Sequence, residues 1–294
     1  FAAGVNNTVD PAAVAMGAEA YGNSNTITAT GTSAFAVGYN NTVSKDNALA
    51  YGNSNVATGT NSLVGGEYSK AKGRNSVAIG SSAQALQDNT FAIGSQARAN
   101  GEDALAFGNG AYSENQATVA VGKSTRAKGL MGTAVGYGTH ATADYTTAVG
   151  YQNAVTGQQS SAIGVNNETT GQFASAVGTN NETNGSYAFA AGFKSKAIAD
   201  NSIAVGNQAE SSGDHGLAIG TIANATATDA VAVGHSANAT GKYSVAIGSG
   251  NKAEGEAAVN IGSNNHGAYD HATIVGSENN IAYSDHMVDP YGDV

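Results

Sequence analysis

Glycine recurs every fourteen residues, at 38, 52, 66, 80, 94, 108, 122, 136, 150, 164, 178, 192, 206, 220, 234, 248, 262 and 276, with no insertion or deletion in between. A short fixed period of this kind marks a solenoid, whose repeats cannot bury their apolar faces alone and must stack. At 294 residues the chain could hold two globular domains, but the unbroken period argues for one continuous array. The 40 glycines carry no G-X-Y triplet, and the apolar columns beside them speak for order.

The residues before each marker glycine alternate in size, as in Ser76-Val77-Ala78-Ile79-Gly80. Large apolar residues fall on one side: Val77 and Ile79, Phe91 and Ile93, Leu105 and Phe107, Val119 and Val121, Ile203 and Val205, Val245 and Ile247. Small ones fall on the other, at Ala78, Ala92, Ala106 and Ala120. Alternation over so few residues, rich in β-branched and aromatic types, reads as a strand; a helix needs more length. Both sides are apolar, so both are expected to be buried. After the glycine, Ala83-x-Ala85, Ala97-x-Ala99 and Ala237-x-Ala239 read as a second strand, with polar residues such as Gln84, Arg98, Arg126, His140, Glu168, Glu182, Lys196 and Lys252 outward. A second glycine often follows (Gly73, Gly101, Gly129, Gly157, Gly171), where a positive φ or a close backbone approach is expected.

Each repeat is thus one coil of a parallel β-solenoid, and eighteen coils at ~4.8 Å predict a rod of roughly 85 Å. If Ala78 and Ala85 fill the coil, Val77 and Ile79 project outward as a stripe of about thirty large side chains, each carrying roughly 1.5–3 kcal/mol of burial energy. Such a stripe calls for a cover, and a two-fold or three-fold seam between copies would each supply one. The reverse assignment, with Val and Ile inside and Ala outside, would allow a monomer.

Composition removes several classes of function. Without cysteine there is neither a disulfide framework nor thiolate chemistry, and a net charge of −10 makes nucleic acid a poor partner. No stretch reaches the apolar length of a membrane span. Phe1-Ala2-Ala3-Gly4 already reads as a repeat, so a mature or excised fragment is expected. No nucleophile–base–acid constellation stands apart from the repeat, so no enzymatic activity and no cofactor is expected. His266, Asp270, His271, Asp285 and His286 are metal-capable but lack a ligand spacing.

NSVAIG followed by A-x-A-x-G at period fourteen resembles the head repeat of trimeric autotransporter adhesins, the YadA-like family, over nearly the whole chain. The resemblance implies an all-β, left-handed parallel β-roll of 14-residue coils assembled as a homotrimer, although a left-handed crossover runs against the usual rule. It divides the chain into irregular N-terminal cap coils at 1–37, a regular roll at 38–281 and an exit segment toward a neck and stalk at 282–294. It further implies an adhesin head on the outer membrane of a Gram-negative bacterium, the head itself outside the membrane and anchored through regions absent from this chain. The implied partners are collagen, fibronectin, laminin or receptors such as CEACAMs, together with roles in autoagglutination, biofilm formation and virulence. Stalk heptads, a membrane anchor and the usual neck segment are not recognisable. Ile27-Thr28-Ala29-Thr30 reads as a two-residue insertion, Asn260 stands where Ala is usual, and Gly65 where Val or Ile is usual.

Two sets of residues are candidates for partner binding. Residues 1–130 are electrically neutral, with 8 Lys/Arg and 8 Asp/Glu, while 131–294 hold the whole acidic excess. Lys70, Lys72, Arg74, Arg98, Arg126 and Lys128, with Lys123, stack on neighbouring coils; they read either as a site for acidic ligands or sulfated glycans or as a solvated polar face. Tyr137, Tyr145, Tyr151, Phe173, Tyr187 and Phe193 have the chemistry of binding hot spots. Tyr145, Phe173 and Tyr187 lie five residues before a marker, at the parity of Val and Ile, and so read equally as part of the seam or as turn packing. The Asn pairs, such as Asn40-Asn41 and Asn180-Asn181, read as left-handed turns with backbone-bonded ladders.

Rival functions are weaker. A head serving only as a structural spacer fits the same repeats. Acyltransferase β-helices use about eighteen residues per three-sided coil and a loop with a catalytic His, and nothing interrupts the period here. An ice-binding face needs a Thr-x-Thr column, and Thr28-Ala29-Thr30 and Thr226-Ala227-Thr228 form none.

Overall fold

The computed structural model describes residues 1–14, 17–28 and 33–281. They form two compact units, Phe1–Gln159 and Ser160–Val294. Both are built from the same coil: a longer strand ending near the marker glycine, a corner, a two-residue strand, and a second corner. Apart from one helical turn at Pro11–Val14, the regular structure of the described residues is all strand.

Pairing is parallel and in register with the repeat. In the first unit Val77, Ala78 and Ile79 pair with Phe91, Ala92 and Ile93, and Gln84 and Ala85 with Arg98 and Ala99. In the second unit Ser161, Ala162 and Ile163 pair with Ser175, Ala176 and Val177. The register also reaches the irregular end, because Gly4 pairs with Gly22 and Gly22 with Gly38. The first coils are therefore the same coil with insertions, four residues in one (the helical turn lies there) and two in the next. The exit segment 282–294 lies outside the described residues, as do Ala29 and Thr30 of the insertion.

The size alternation resolves as small-in, large-out. Ala78 and Ala85 are fully buried, as are Ala204 and Ala209 in the second unit, while Val77, Ile79 and Val205 stay partly exposed. The assignment with Val and Ile inside is overturned: the interior columns are mostly alanine, and Ile27, Val43, Val64 and Val155 are the largest apolar side chains fully buried there.

Two corners per coil carry a residue in the left-handed region, seven residues apart, such as Asn75 at φ 53° and Ser82 at φ 59°. The marker glycine supplies a third unusual conformation. Gly80 has φ 146°, and a Cβ there would overlap the Gly94 carbonyl of the next coil. The corner glycines answer to a different need: Gly73 does not have a positive φ, but a Cβ on it would overlap the Gln87 carbonyl.

Buried asparagines next to the left-handed corners close the ends of the interior. Asn55 Nδ2 donates to the Tyr51 and Gly66 carbonyls at 2.9 and 2.8 Å, and its Oδ1 accepts from the Ser69 backbone at 3.0 Å. Asn55 in turn donates to Asn41 Oδ1 from both its backbone and its side chain, so the pairs form the expected ladder. In the second unit Asn181 makes the same contacts with Asn167.

The two departures from the repeat are steric complements. Tyr51 lies over Gly65, where a Cβ would overlap its ring. Asn260 replaces an interior Ala, and Gly267 faces it, where a Cβ would come within 2.7 Å of Asn260 Oδ1.

Candidate functional site

Three surfaces of the coil could meet a partner. The first is the outward face of the long sheet. Val77, Ile79, Phe91, Ile93, Leu105, Phe107, Val119 and Val121 line it in the first unit, and Ile203, Val205, Val245 and Ile247 in the second, all partly or largely exposed. Phe107 is 50% exposed, and in the second unit Ile163 is 47% exposed. Large apolar side chains left this open at successive coils form an apolar stripe in each unit.

The second surface is the outward face of the short strands in the first unit. In-register pairing aligns Lys70, Gln84, Arg98, Tyr112, Arg126 and His140 in one column. The Arg98 and Arg126 guanidiniums sit 6.0 and 5.4 Å from the centroid of the Tyr112 ring between them. Lys128 stands two residues beyond Arg126, 3.8 Å from Glu114. Lys72 occupies the corresponding place beside Lys70. Arg74 departs from the set: it is at a corner, its backbone N–H donates to Asp88 Oδ1 and its Nε lies 3.7 Å from Asp88 Oδ2. The His140 imidazole is held below its ordinary pKa by partial burial and then by the Arg126 and Lys128 charges. Tyr112 escapes the sequence reading, although its fourteen-residue spacing from both arginines is the signal that finds it.

The aromatic candidates occupy two different places. Tyr137 and Tyr151 project from strand ends in the first unit and stack at 5.2 Å, with Lys123 Nζ 5.8 Å from the Tyr137 centroid. Phe193 has the strand-end position in the second unit, with Lys194 Nζ at 5.2 Å. Tyr145, Phe173 and Tyr187 sit in left-handed corners at φ 59°, 57° and 58°, so the strand parity that would join them to the Val/Ile columns stops before it reaches them. Phe173 and Tyr187 stack at 4.8 Å.

Among the described residues no three His, Cys, Asp or Glu side chains converge as metal ligands would. His266 Nε2 lies 3.0 Å from Glu254 Oε2, and Asp270 Oδ1 accepts the Glu256 backbone N–H at 2.8 Å. Asp285 and His286 lie outside the described residues.

Comparison with known families gives one decisive match. The YadA head domain repeat (2 copies) matches residues 29–55, 71–97, 99–125, 127–153, 156–181, 184–209, 211–237 and 239–265, well over half of the chain. The chain belongs to the YadA head family. The fourteen-residue coil with its interior alanines is the repeat of that family, and the matches run through both units. A search among curated proteins finds no match. Membership makes this an adhesin-type head, of a family whose heads are surface-exposed, trimeric and typically non-enzymatic. Among the described residues, no helix is long and apolar enough to cross a membrane.

Proposed function

We infer that this YadA head is a homotrimer of left-handed β-rolls that binds host matrix proteins, such as collagen, fibronectin or laminin, or a host receptor of the CEACAM kind. The same surface contacts between cells underlie autoagglutination and biofilm formation. The head is displayed on the outer membrane of a Gram-negative bacterium. The observation that carries the reading is the apolar stripe on the long sheet of each unit. Its columns are mostly Val, Ile, Leu and Phe, with about half of Phe107 and of Ile163 open to water. Covering the exposed half of one such side chain is worth about 1 kcal/mol, and the gain recurs at every coil. Symmetric association of identical columns is the simplest cover, because it matches their period at every step.

Two measurements test this. Light scattering at low micromolar concentration is expected to give three times the mass of the chain, and a single-chain mass would overturn the seam. Beads coated with the head are expected to adhere to immobilised collagen, fibronectin or laminin, or to cells bearing such a receptor. Failure on all of these would reduce the head to a structural spacer.

A further inference from the structure

The cations of the first unit's short-strand column do not fall at random. Lys70, Arg98 and Arg126 occupy every second coil, and Gln84 and Tyr112 fill the coils between them. Successive coils lie ~4.8 Å apart, so the three charges repeat at roughly 9.6 Å. Tyr112 acts as the spacer. Its ring holds a guanidinium on each side, and its hydroxyl accepts from Asn100 Nδ2 at 3.2 Å. No carboxylate lies within ion-pair distance of Arg98 or Arg126 among the described residues, so both forks keep donors free for a ligand.

A groove of about 510 Å³ runs along these side chains, lined by Gln84, Arg98, Tyr112 and Arg126 together with Glu114 and Lys128. Gly110 opens its side: at φ 65° it occupies the corner position that Gln96 and Ser124 fill in the neighbouring coils. The groove is cationic overall, since only Glu114 offsets Arg98, Arg126 and Lys128. Glu114 Oε2 is turned away from the groove and faces Lys128 Nζ at 3.8 Å.

We propose that this groove binds a linear sulfated polysaccharide, laid along the column with one anionic group per two coils. The proposal rests on the adhesin reading and names a ligand class for it. Two features select a glycan. The ~9.6 Å pitch matches a polymer whose anion recurs once per disaccharide, whereas an extended acidic peptide presents same-face carboxylates only ~7 Å apart. Sulfate and carboxylate groups suit the paired donors of a guanidinium.

The test is titration of the whole chain with a heparin octasaccharide, with its N- and O-desulfated form and with a poly-glutamate peptide as comparisons. Binding to the sulfated octasaccharide alone is expected, weakening steeply with salt. Arg98→Gln with Arg126→Gln should lower affinity about ten-fold or more. Lys70→Gln removes an exposed rung that touches no ring, and should lower it severalfold without any bearing on the fold. Lys252→Gln, at the same coil position in the second unit, should leave it unchanged. Equal binding by the double variant and by Lys70→Gln, equal binding of the desulfated sugar or the peptide, or no binding by the unaltered chain would each overturn the proposal. A chain that ignores the octasaccharide yet still adheres to matrix proteins would refute the groove and leave the adhesin reading standing.

Discussion

His140 stands one coil beyond Arg126 in the same column, and its surroundings disfavour the imidazolium. Burial is the larger cause, followed by the Arg126 and Lys128 charges. The folded pKa is therefore below the unfolded one, and between the two the unfolded chain binds the extra proton. His140 costs the fold nothing above the ordinary imidazole pKa and erodes stability as pH falls through that window. In an NMR titration Arg126→Gln should raise the His140 pKa only part of the way to its ordinary value, since burial remains; no change would mean the charges do not reach the ring. A second residue carries strain of another kind. Ile222 sits in a left-handed corner at φ 57°, where a β-branched side chain costs about 1–2 kcal/mol and asparagine is at ease. Ile222 is also exposed, so Ile222→Asn gives up little burial. It should raise the thermal midpoint by about 2 °C or more, as read by circular dichroism, and a lower midpoint would show that the isoleucine is covered in the assembled protein.

At the scale of the coil, Asn260 and Gly267 form one unit of packing. Asn260 Oδ1 is buried without a hydrogen-bond partner, and Gly267 leaves the space its side chain needs. Gly267→Ala alone should therefore destabilise the fold, while Asn260→Ala with Gly267→Ala restores the ordinary alanine pair. The double variant should exceed the unaltered chain by about 1–2 kcal/mol in denaturant unfolding, because it removes an orphaned acceptor and a flexible glycine. Additive effects of the two substitutions would refute the pairing. This pair marks where sequence reading stops. Val77 outward and Ala78 inward were legible, because period-two alternation within a fixed repeat leaves only the choice of which side is the interior. The Asn ladder was legible too, as Asn40 and Asn41 have both the left-handed tolerance and the amide that such a corner needs. The complement of Asn260 was not, because Gly267 lies seven residues away on the opposite strand and only closure of the coil makes them neighbours. Tyr145, Phe173 and Tyr187 read as seam or as turn packing, and parity alone could not choose: counting back by twos from the glycine assumes strand, and the corner at φ near 57–59° ends it.

At the scale of the molecule, charge and apolar surface are segregated by face. The outward long-sheet columns have no charged residue in the four positions before any regular marker, whereas the short strands carry Lys70, Arg98 and Arg126 in the first unit and Glu168, Glu182 and Lys196 in the second. In each unit this charge-free face is the one the proposed seam would use. Ile163 and Val177, in-register neighbours 47% and 40% exposed, are the place to disturb it in the second unit. Replacing both with Lys puts six ammonium groups at a three-fold seam, each losing hydration without a partner at a cost of several kcal/mol. The coil itself should survive, because its interior holds Ala162 and Ala176 and the backbone ladder does not involve the outward side chains. The expected result is a fall from three-chain to single-chain mass with the strand signal in circular dichroism retained. A three-chain mass in the variant would move the seam to another face. Loss of the strand signal together with the mass would mean that the coil is stable only when the stripe is covered, which makes association part of folding rather than a step after it.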